Sequence, residues 1–222
     1  MSDTAAQSVP PSDHARSLAG VDLPAASPPT VRVEAVREVV VVVSRSRDPR
    51  REVHIDRCWA DRVPVVVRPS GGGAVVLAPG VVAASVLAET AAAGPFPEPY
   101  FRLFGDAVAR ALSTLGIAGA VMRGVSDICL GERKVAGSAL RVWRERVLYQ
   151  VSLLVEVDVG LMERYLPPPS RQPDYRRDRP HREFVITLRE AGSRASLASI
   201  TGALETEFAA EVARLRHGGA SV

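Results

Sequence analysis

Most apolar positions of the chain fall in short runs rich in β-branched residues, a pattern typical of buried strands. Glycine, proline and charged residues bound these runs, and the pair Pro79-Gly80 marks a turn between two of them. The last two runs are separated by a short polar turn and are predicted to pair as a hairpin. The predicted strands are residues 39–44, 64–68, 74–77, 81–87, 117–122, 127–130, 134–143 and 146–158.

Three further segments are predicted to be helices. Residues 100–115 carry aromatic and aliphatic side chains at helical spacing, and Gly116 ends the pattern. Residues 160–165 are predicted as a short helix and residues 196–214 as a closing amphipathic helix. Because strands and helices follow one another in mixed order, the sequence predicts an α+β (mixed-sheet α/β) fold.

The length of 222 residues indicates one globular domain with a tail. Residues 1–30 are rich in Ala, Ser and Pro without periodicity, and are predicted to be a disordered or loosely held leader to a domain at 31–222. Residues 166–182 form a long loop rich in Pro and Arg, and its length favours a function. Covering an active site, contacting an acidic partner and simply being solvated are all open for this loop.

Composition and charge narrow the function classes. The net charge is only +3 and the arginines are scattered, so no nucleic-acid partner is expected. No apolar run approaches the roughly 20 residues of a membrane span. The two cysteines, Cys58 and Cys129, lack metal-binding or disulfide spacing, which favours a reducing, cytoplasmic setting.

The distribution of cationic residues draws attention to one position. Of the 28 Lys and Arg residues only Lys134 is a lysine. Where nearly every cation is Arg, a retained Lys is a candidate for chemistry that needs a compact charge on a flexible stem. A surface lysine kept by chance is an equally good explanation from composition alone.

A glycine-rich stretch is the first candidate motif. In Arg68-Pro69-Ser70-Gly71-Gly72-Gly73 the three glycines permit positive φ and close approach of a ligand, and successive N–H groups can bind an anion. Arg68 adds a charge suited to a phosphate or carboxylate. The stretch lacks the ending of a P-loop and the spacing of a dinucleotide fingerprint. A glycine-rich hairpin without a ligand is the commoner explanation of such a stretch taken alone.

The second motif surrounds Lys134. It follows a turn, and the small residues Gly137, Ser138 and Ala139 leave room for a ligand beside the strand. Strand alternation predicts that Lys134, Ala136 and Ser138 share one face. Asp127, in the preceding strand, is suited to orient an amine or a metal ion. The alternative is a solvated hairpin with a surface lysine.

Together the two motifs resemble the lipoate–protein ligase family, over about residues 35–215. Residues 68–75 are similar to its Arg-Arg-x-Ser-Gly-Gly-Gly-x-Val stretch, and residues 126–141 to its Asn-Asp…Arg-Lys-x-x-Gly-Ser-Ala stretch. The resemblance implies a class II synthetase/biotin-ligase-like catalytic domain. It also implies ATP, Mg²⁺ and lipoate as ligands, with acyl transfer through lipoyl-adenylate to a lysine of a lipoyl carrier domain. That carrier would be a 2-oxoacid dehydrogenase E2 or a glycine cleavage H protein.

The resemblance also implies roles for individual residues. Lys134 is the expected catalytic residue, holding the acyl carboxylate and the adenylate phosphate. Arg68 is expected to contact the phosphate, and Asp127 to lie near Mg²⁺ or the incoming amine. The expected substrate- and adenylate-binding set is Arg68, Ser70, Gly71, Gly72, Gly73, Asp127, Gly137, Ser138, Ala139 and Arg141. Cys129 is expected to be a buried thiol rather than a nucleophile, and His181 to be structural rather than catalytic.

The chain departs from the family pattern at several polar positions. Val67 replaces the first Arg, Leu77 a His, and Ser126 an Asn, while residues 150–152 read Gln-Val-Ser in place of His-Gly-Thr. These departures favour a divergent member and keep other functions open. The alternatives are a non-catalytic lipoate- or carrier-binding protein, an octanoyltransferase that uses acyl carrier protein, and, more weakly, a biotin ligase.

Overall fold

Two β-sheets form the framework of the computed structural model, which describes residues 9–23, 27–90, 97–169 and 171–216. The strands are β1 Thr30–Ala35, β2 Val40–Ser44, β3 Val65–Arg68, β4 Val75–Leu77, β5 Val81–Glu89, β6 Ala120–Arg123, β7 Asp127–Leu130, β8 Arg133–Trp143 and β9 Arg146–Leu154. The larger sheet has the order β1-β5-β9-β8-β7-β6 and is antiparallel throughout. In the smaller sheet, β2 runs parallel to β3 and antiparallel to β4.

The two longest helices cover one face of the large sheet. The helices are α1 Asp13–Leu18, α2 Pro49–Glu52, α3 Ile55–Ala60, α4 Glu98–Thr114, α5 Gly160–Tyr165, α6 His181–Phe184 and α7 Leu197–Arg216, with a 3₁₀ turn at Asp174–Arg176. α4 and α7 pack against the sheet through three aromatic rings: the Phe104 centroid lies 4.9 Å from that of Tyr149 and 6.2 Å from that of Phe208. No helix among the described residues is long and apolar enough to cross a membrane.

The small sheet, α1 and α5 cover the opposite face of the large sheet and form a second core. Strand β5 illustrates the result, because eight of its nine residues are buried without alternation. Strands covered on both faces become continuously apolar in this way. The second core leaves a cavity between the two sheets, and the candidate motifs lie there.

The predicted α+β fold is confirmed, and the predicted strands and helices are present with ends shifted by a few residues. The prediction for residues 1–30 is corrected in part. α1 lies within the expected leader, and its Ala15 and Leu18 are buried in the second core. A helix of one and a half turns offers too few positions for apolar spacing to reveal it, and its stability comes from packing. Residues 1–8 and 24–26 of this segment lie outside the described residues.

Candidate functional site

The two predicted motifs line one pocket of about 430 Å³. We call it the lysine pocket, and it lies between β8 and β9 of the large sheet, the glycine turn at residues 69–73, and the loop at residues 166–182. Of the predicted site residues, the pocket wall contains Arg68, Gly72, Gly73, Asp127, Lys134, Gly137, Ser138 and Ala139. Its more apolar part is formed by Val42, Leu77, Leu154, Met162 and Leu166.

Lys134 is fixed by an ion pair in the wall of this pocket. Its Nζ lies 2.6 Å from Oδ1 of Asp127, and the lysine side chain is 26% exposed. The other carboxylate oxygen of Asp127 accepts a hydrogen bond of 2.6 Å from the hydroxyl of Tyr175. Burial and the contact with Asp127 raise the pKa of Tyr175, so the phenol stays protonated and donates. Asp127 thus connects the lysine to the loop that covers the pocket.

A β-bulge changes which residues share a face with Lys134. Cys129 pairs with Lys134 while Ile128 pairs with Ala136, so Val135 is the extra residue. The predicted common face of Lys134, Ala136 and Ser138 is therefore wrong, since Ala136 and Val135 are both buried in the core under the helices. A bulge rotates the chain by one residue, and alternation cannot anticipate it.

The absence of a side chain at Gly137 gives the lysine its position. A Cβ built on Gly137 would lie 2.7 Å from Nζ and 2.8 Å from Cε of Lys134. The lysine side chain therefore folds back across the glycine towards Asp127. The next residue, Ser138, supports this part of the wall, because both its N–H and its hydroxyl donate to the carbonyl of Ser126, each at 2.8 Å.

Arg68 has a different environment from the phosphate contact expected for it. Its Nη2 donates to the carbonyls of Gly71 and Gly73, both at 2.7 Å, and its Nη1 donates to Val42 at 3.2 Å. Burial lowers its pKa to about 10, which leaves it charged at neutral pH. Gly72, with φ of +95°, lies against the same guanidinium. Arg68 holds the glycine turn in shape from behind.

The remaining residues of the glycine turn are also engaged. The N–H of Gly71 donates to the carbonyl of Leu140 at 3.2 Å, so it is not available as the expected ligand donor. Ser70 is fully buried and donates to Oε1 of Gln150 at 2.5 Å, and Gln150 in turn donates to Ser85 at 3.2 Å. Gln150 stands where the family pattern has a His, but it lines the lysine pocket and ties the glycine turn to β9.

Three residues of the predicted binding set, Ser70, Gly71 and Arg141, do not line the lysine pocket, and Arg141 lies on the far side of the glycine turn. Its guanidinium stacks on Trp143 with Cζ 4.5 Å from the ring centroid, and it donates to the carbonyl of Pro69 at 3.3 Å. It lines a second cavity on the other side of the glycine turn. The motif placed it correctly on the strand, but strand position alone could not reveal that the glycine turn crosses between Ala139 and Arg141.

The loop at residues 166–182 covers the lysine pocket. Pro169, Arg176 and His181 line the pocket, and Tyr175 lies with its ring centroid 5.4 Å from that of Phe184. Burial and the nearby Arg176 lower the pKa of His181 to about 4, so this imidazole is neutral at pH 7. Tyr175 was not predicted from the sequence, where the arginines of this loop were the more visible feature. An aromatic residue within a proline-rich loop was the available signal.

Cys129 and Asp127 were given predicted roles that their surroundings in the structure bear on. Cys129 is fully buried, and burial raises its pKa, which confirms a buried thiol. Asp127 alone does not make a protein-built Mg²⁺ site, and each of its oxygens already accepts one contact, from Lys134 and from Tyr175. Among the described residues, no group of three or more His, Cys, Asp or Glu side chains could hold a metal ion. In this structure Asp127 is the partner of Lys134, and its place near Mg²⁺ stays a prediction.

Comparison with known proteins identifies what this arrangement is similar to. A model of the lipoyl protein ligase A/B catalytic domain family matches residues 22–209. A lipoate–protein ligase of Streptococcus pyogenes is 31% identical over 160 residues, which is 72% of this chain and 43% of that protein. The chain therefore spans less than half the length of this relative.

Solved structures share the fold. The chain matches a structure from the analysis of a bi-partite lipoate protein ligase and its E2 lipoyl domain from Thermoplasma acidophilum, with a TM-score of 0.75 and 21% identity, over 92% of this chain and 81% of that chain. A lipoate-protein ligase A solved with bound ATP matches with a TM-score of 0.71 and 22% identity, over 90% of this chain and 79% of that chain. These likenesses confirm the fold predicted from the sequence.

Proposed function

The chain belongs to the lipoyl protein ligase A/B catalytic domain family, and on this basis we propose that it uses ATP to attach lipoate, or octanoate, to a lysine of a lipoyl carrier domain. In the first step a carboxylate oxygen of the acid attacks the α-phosphorus of ATP, and the bond to pyrophosphate breaks. In the second step the carrier amine attacks the acyl carbon, AMP leaves, and the amine loses a proton.

The observation that carries this proposal is the ion pair between Lys134 and Asp127 in the pocket wall. In both steps negative charge develops on oxygens next to the reacting atom. A preorganised cation stabilises this charge without having to reorganise as the reaction proceeds. Asp127 and the space above Gly137 hold the ammonium in one place, so Lys134 is suited to contact the acyl carboxylate and the α-phosphate together.

The remaining walls of the pocket suit the substrate and its intermediate. The apolar part, which includes Leu77, Leu154 and Met162, offers burial to an alkyl or dithiolane tail. The loop at residues 166–182 covers the opposite side, where it would limit the access of water to the adenylate. Tyr175 anchors this loop to Asp127.

The test is to incubate the protein with lipoate and a purified E2 lipoyl domain, with and without ATP and Mg²⁺, and to measure the intact mass of the domain. We expect a mass gain equal to one lipoyl group only in the presence of ATP. Gain from octanoyl acyl carrier protein without ATP would instead assign an acyltransferase. No gain from either donor would contradict both activities and favour a non-catalytic binding protein.

Cys129→Ala is expected to retain most of this turnover. The thiol is fully buried with a raised pKa, so it is a poor nucleophile, and its loss should cost about 1 kcal/mol of stability. Rates of transfer and thermal unfolding of the variant and the parent protein provide the comparison. A variant that folds normally but has lost turnover would indicate a thioester route instead.

A further inference from the structure

A second cavity, of about 330 Å³, lies on the far side of the glycine turn from Lys134. Its wall contains Arg45, Val67, Pro69, Arg141 and Trp143, together with residues 20, 21 and 23 of the segment after α1. Nothing in the proposed chemistry uses these side chains. Their arrangement nevertheless has two features of a binding surface, an uncompensated charge and an exposed aliphatic side chain beside an indole.

The charge comes from two arginines that lack an acidic partner. Arg141 is held flat against Trp143, and burial, together with repulsion from the nearby Arg45, lowers the pKa of Arg141. Within the described residues, neither guanidinium forms an ion pair with a carboxylate. Other arginines of the chain do form such pairs, including Arg110 with Glu207, Arg123 with Glu132 and Arg189 with Glu156. An incoming anion would relieve the repulsion between Arg45 and Arg141.

Position along β8 separates this charge from the lysine pocket. The ammonium of Lys134 lies over Gly137, four residues before Arg141, a separation of about 13 Å along a strand. The glycine turn crosses between the two cavities, where the N–H of Gly71 donates to the carbonyl of Leu140. A ligand that occupies the lysine pocket is therefore walled off from the arginines, and they are free to serve a different molecule.

The surroundings favour a protein partner over a small anion. The cavity opens to solvent beside Val67, a residue of the edge strand β3 that is 48% exposed. Exposed aliphatic surface beside an indole and two guanidiniums is the composition of a protein–protein contact. Guanidiniums bind carboxylates in a planar, two-pronged geometry, so the matching surface carries Asp or Glu side chains.

We propose that Arg45 and Arg141, with Val67 and Trp143, form a docking surface for an acidic face of the acyl-accepting carrier domain. This inference rests on the proposed function, because it needs a carrier. The carrier's carboxylates contact the arginines while its acceptor lysine reaches into the neighbouring lysine pocket. Charge attraction of this kind accelerates encounter and weakens as salt is added.

The test separates carrier binding from acyl activation. Acyl-dependent exchange between ATP and pyrophosphate reports adenylate formation without a carrier, and transfer kinetics with an E2 lipoyl domain report docking. Arg45→Glu is expected to raise the KM for the domain about tenfold or more and to leave exchange unchanged. Arg141→Gln is expected to raise the same KM. The matched control is Arg102→Gln on α4, whose guanidinium pairs with exposed Glu98 on the opposite side of the sheet.

Each outcome decides the inference. An unchanged KM for the carrier domain in folded Arg45→Glu protein overturns the docking surface. An equal rise in this KM in Arg102→Gln protein also overturns it. A loss of exchange in Arg45→Glu would mean that the arginines serve the nucleotide. If the parent protein shows no exchange and no transfer, the proposed function fails. Calorimetry at low and high salt then still tests the surface, because it measures the affinity of the E2 lipoyl domain for the parent and the Arg45→Glu protein. Equal affinities would overturn the docking surface.

Discussion

Lys134→Arg is expected to lower acyl transfer by on the order of 10²- to 10³-fold while the protein stays folded. Arginine keeps the charge, so the change tests geometry. Lys134 packs its compact ammonium between Asp127 and the backbone at Gly137, with Nζ only 2.6 Å from the carboxylate. A planar guanidinium is larger and directs its donors along fixed lines. It cannot occupy this space and also face the reacting oxygens.

ATP–pyrophosphate exchange would measure adenylate formation, and the intact mass of the carrier would measure acyl transfer. Thermal unfolding would confirm that the variant is folded. The matched control is Arg133→Lys, one residue earlier in the same strand. Its guanidinium donates to the backbone carbonyls of Val185 and Arg182, away from the reacting groups. Most activity should survive this exchange. Unchanged turnover in Lys134→Arg would remove the lysine from its assigned role.

Lys134 also shows how much of the site could be predicted from the sequence. Lys134 was conspicuous because every other cationic residue is Arg, and the motif around it resembled one family. The apolar runs also predicted the strands that place this motif opposite the glycine turn. Both inferences depend on local pattern, and local pattern is what sequence records most directly.

What the sequence could not give depends on contacts between distant residues. The bulge in β7 and β8 appears only when both strands are paired. Arg68 carries a charge suited to a phosphate, but its donors are taken up by carbonyls of the glycine turn and of β2. Tyr175 is 48 residues from Asp127 in the chain, and only folding brings its hydroxyl to that carboxylate. The helix α1 was not predicted for a related reason, since its burial depends on the sheets against which it packs.

Gly137→Ala is expected to lower turnover about 10²-fold without unfolding the protein, because the new methyl group would occupy the place of the lysine terminus. An alanine Cβ would lie 2.7 Å from Nζ and 2.8 Å from Cε of Lys134, so the ammonium must move away from Asp127. Misplacement of a catalytic group by about 1 Å is enough for a loss of this size. Gly137 is not among the glycines with positive φ, so alanine is compatible with the backbone there.

Gly202→Ala in α7 is the matched control for this glycine. A Cβ at Gly202 meets nothing within 4 Å, and alanine favours a helix, so full activity and a gain in stability of about 0.5–1 kcal/mol are expected. Full activity in folded Gly137→Ala protein would show that the open space does not position the lysine.

A double-mutant cycle shows whether the alanine at position 137 acts through Lys134 or directly on the substrate. In a Lys134→Ala background the lysine terminus is gone, and the added methyl group has nothing to displace. If displacement of the lysine is the cause, Gly137→Ala should then have almost no further effect on the residual rate of adenylate formation. If the methyl group instead blocks the acyl chain, the loss should persist in that background and should appear chiefly as a raised KM for lipoate. The first result would assign Gly137 as a positioning residue, and the second would make it part of the wall that selects the acyl group.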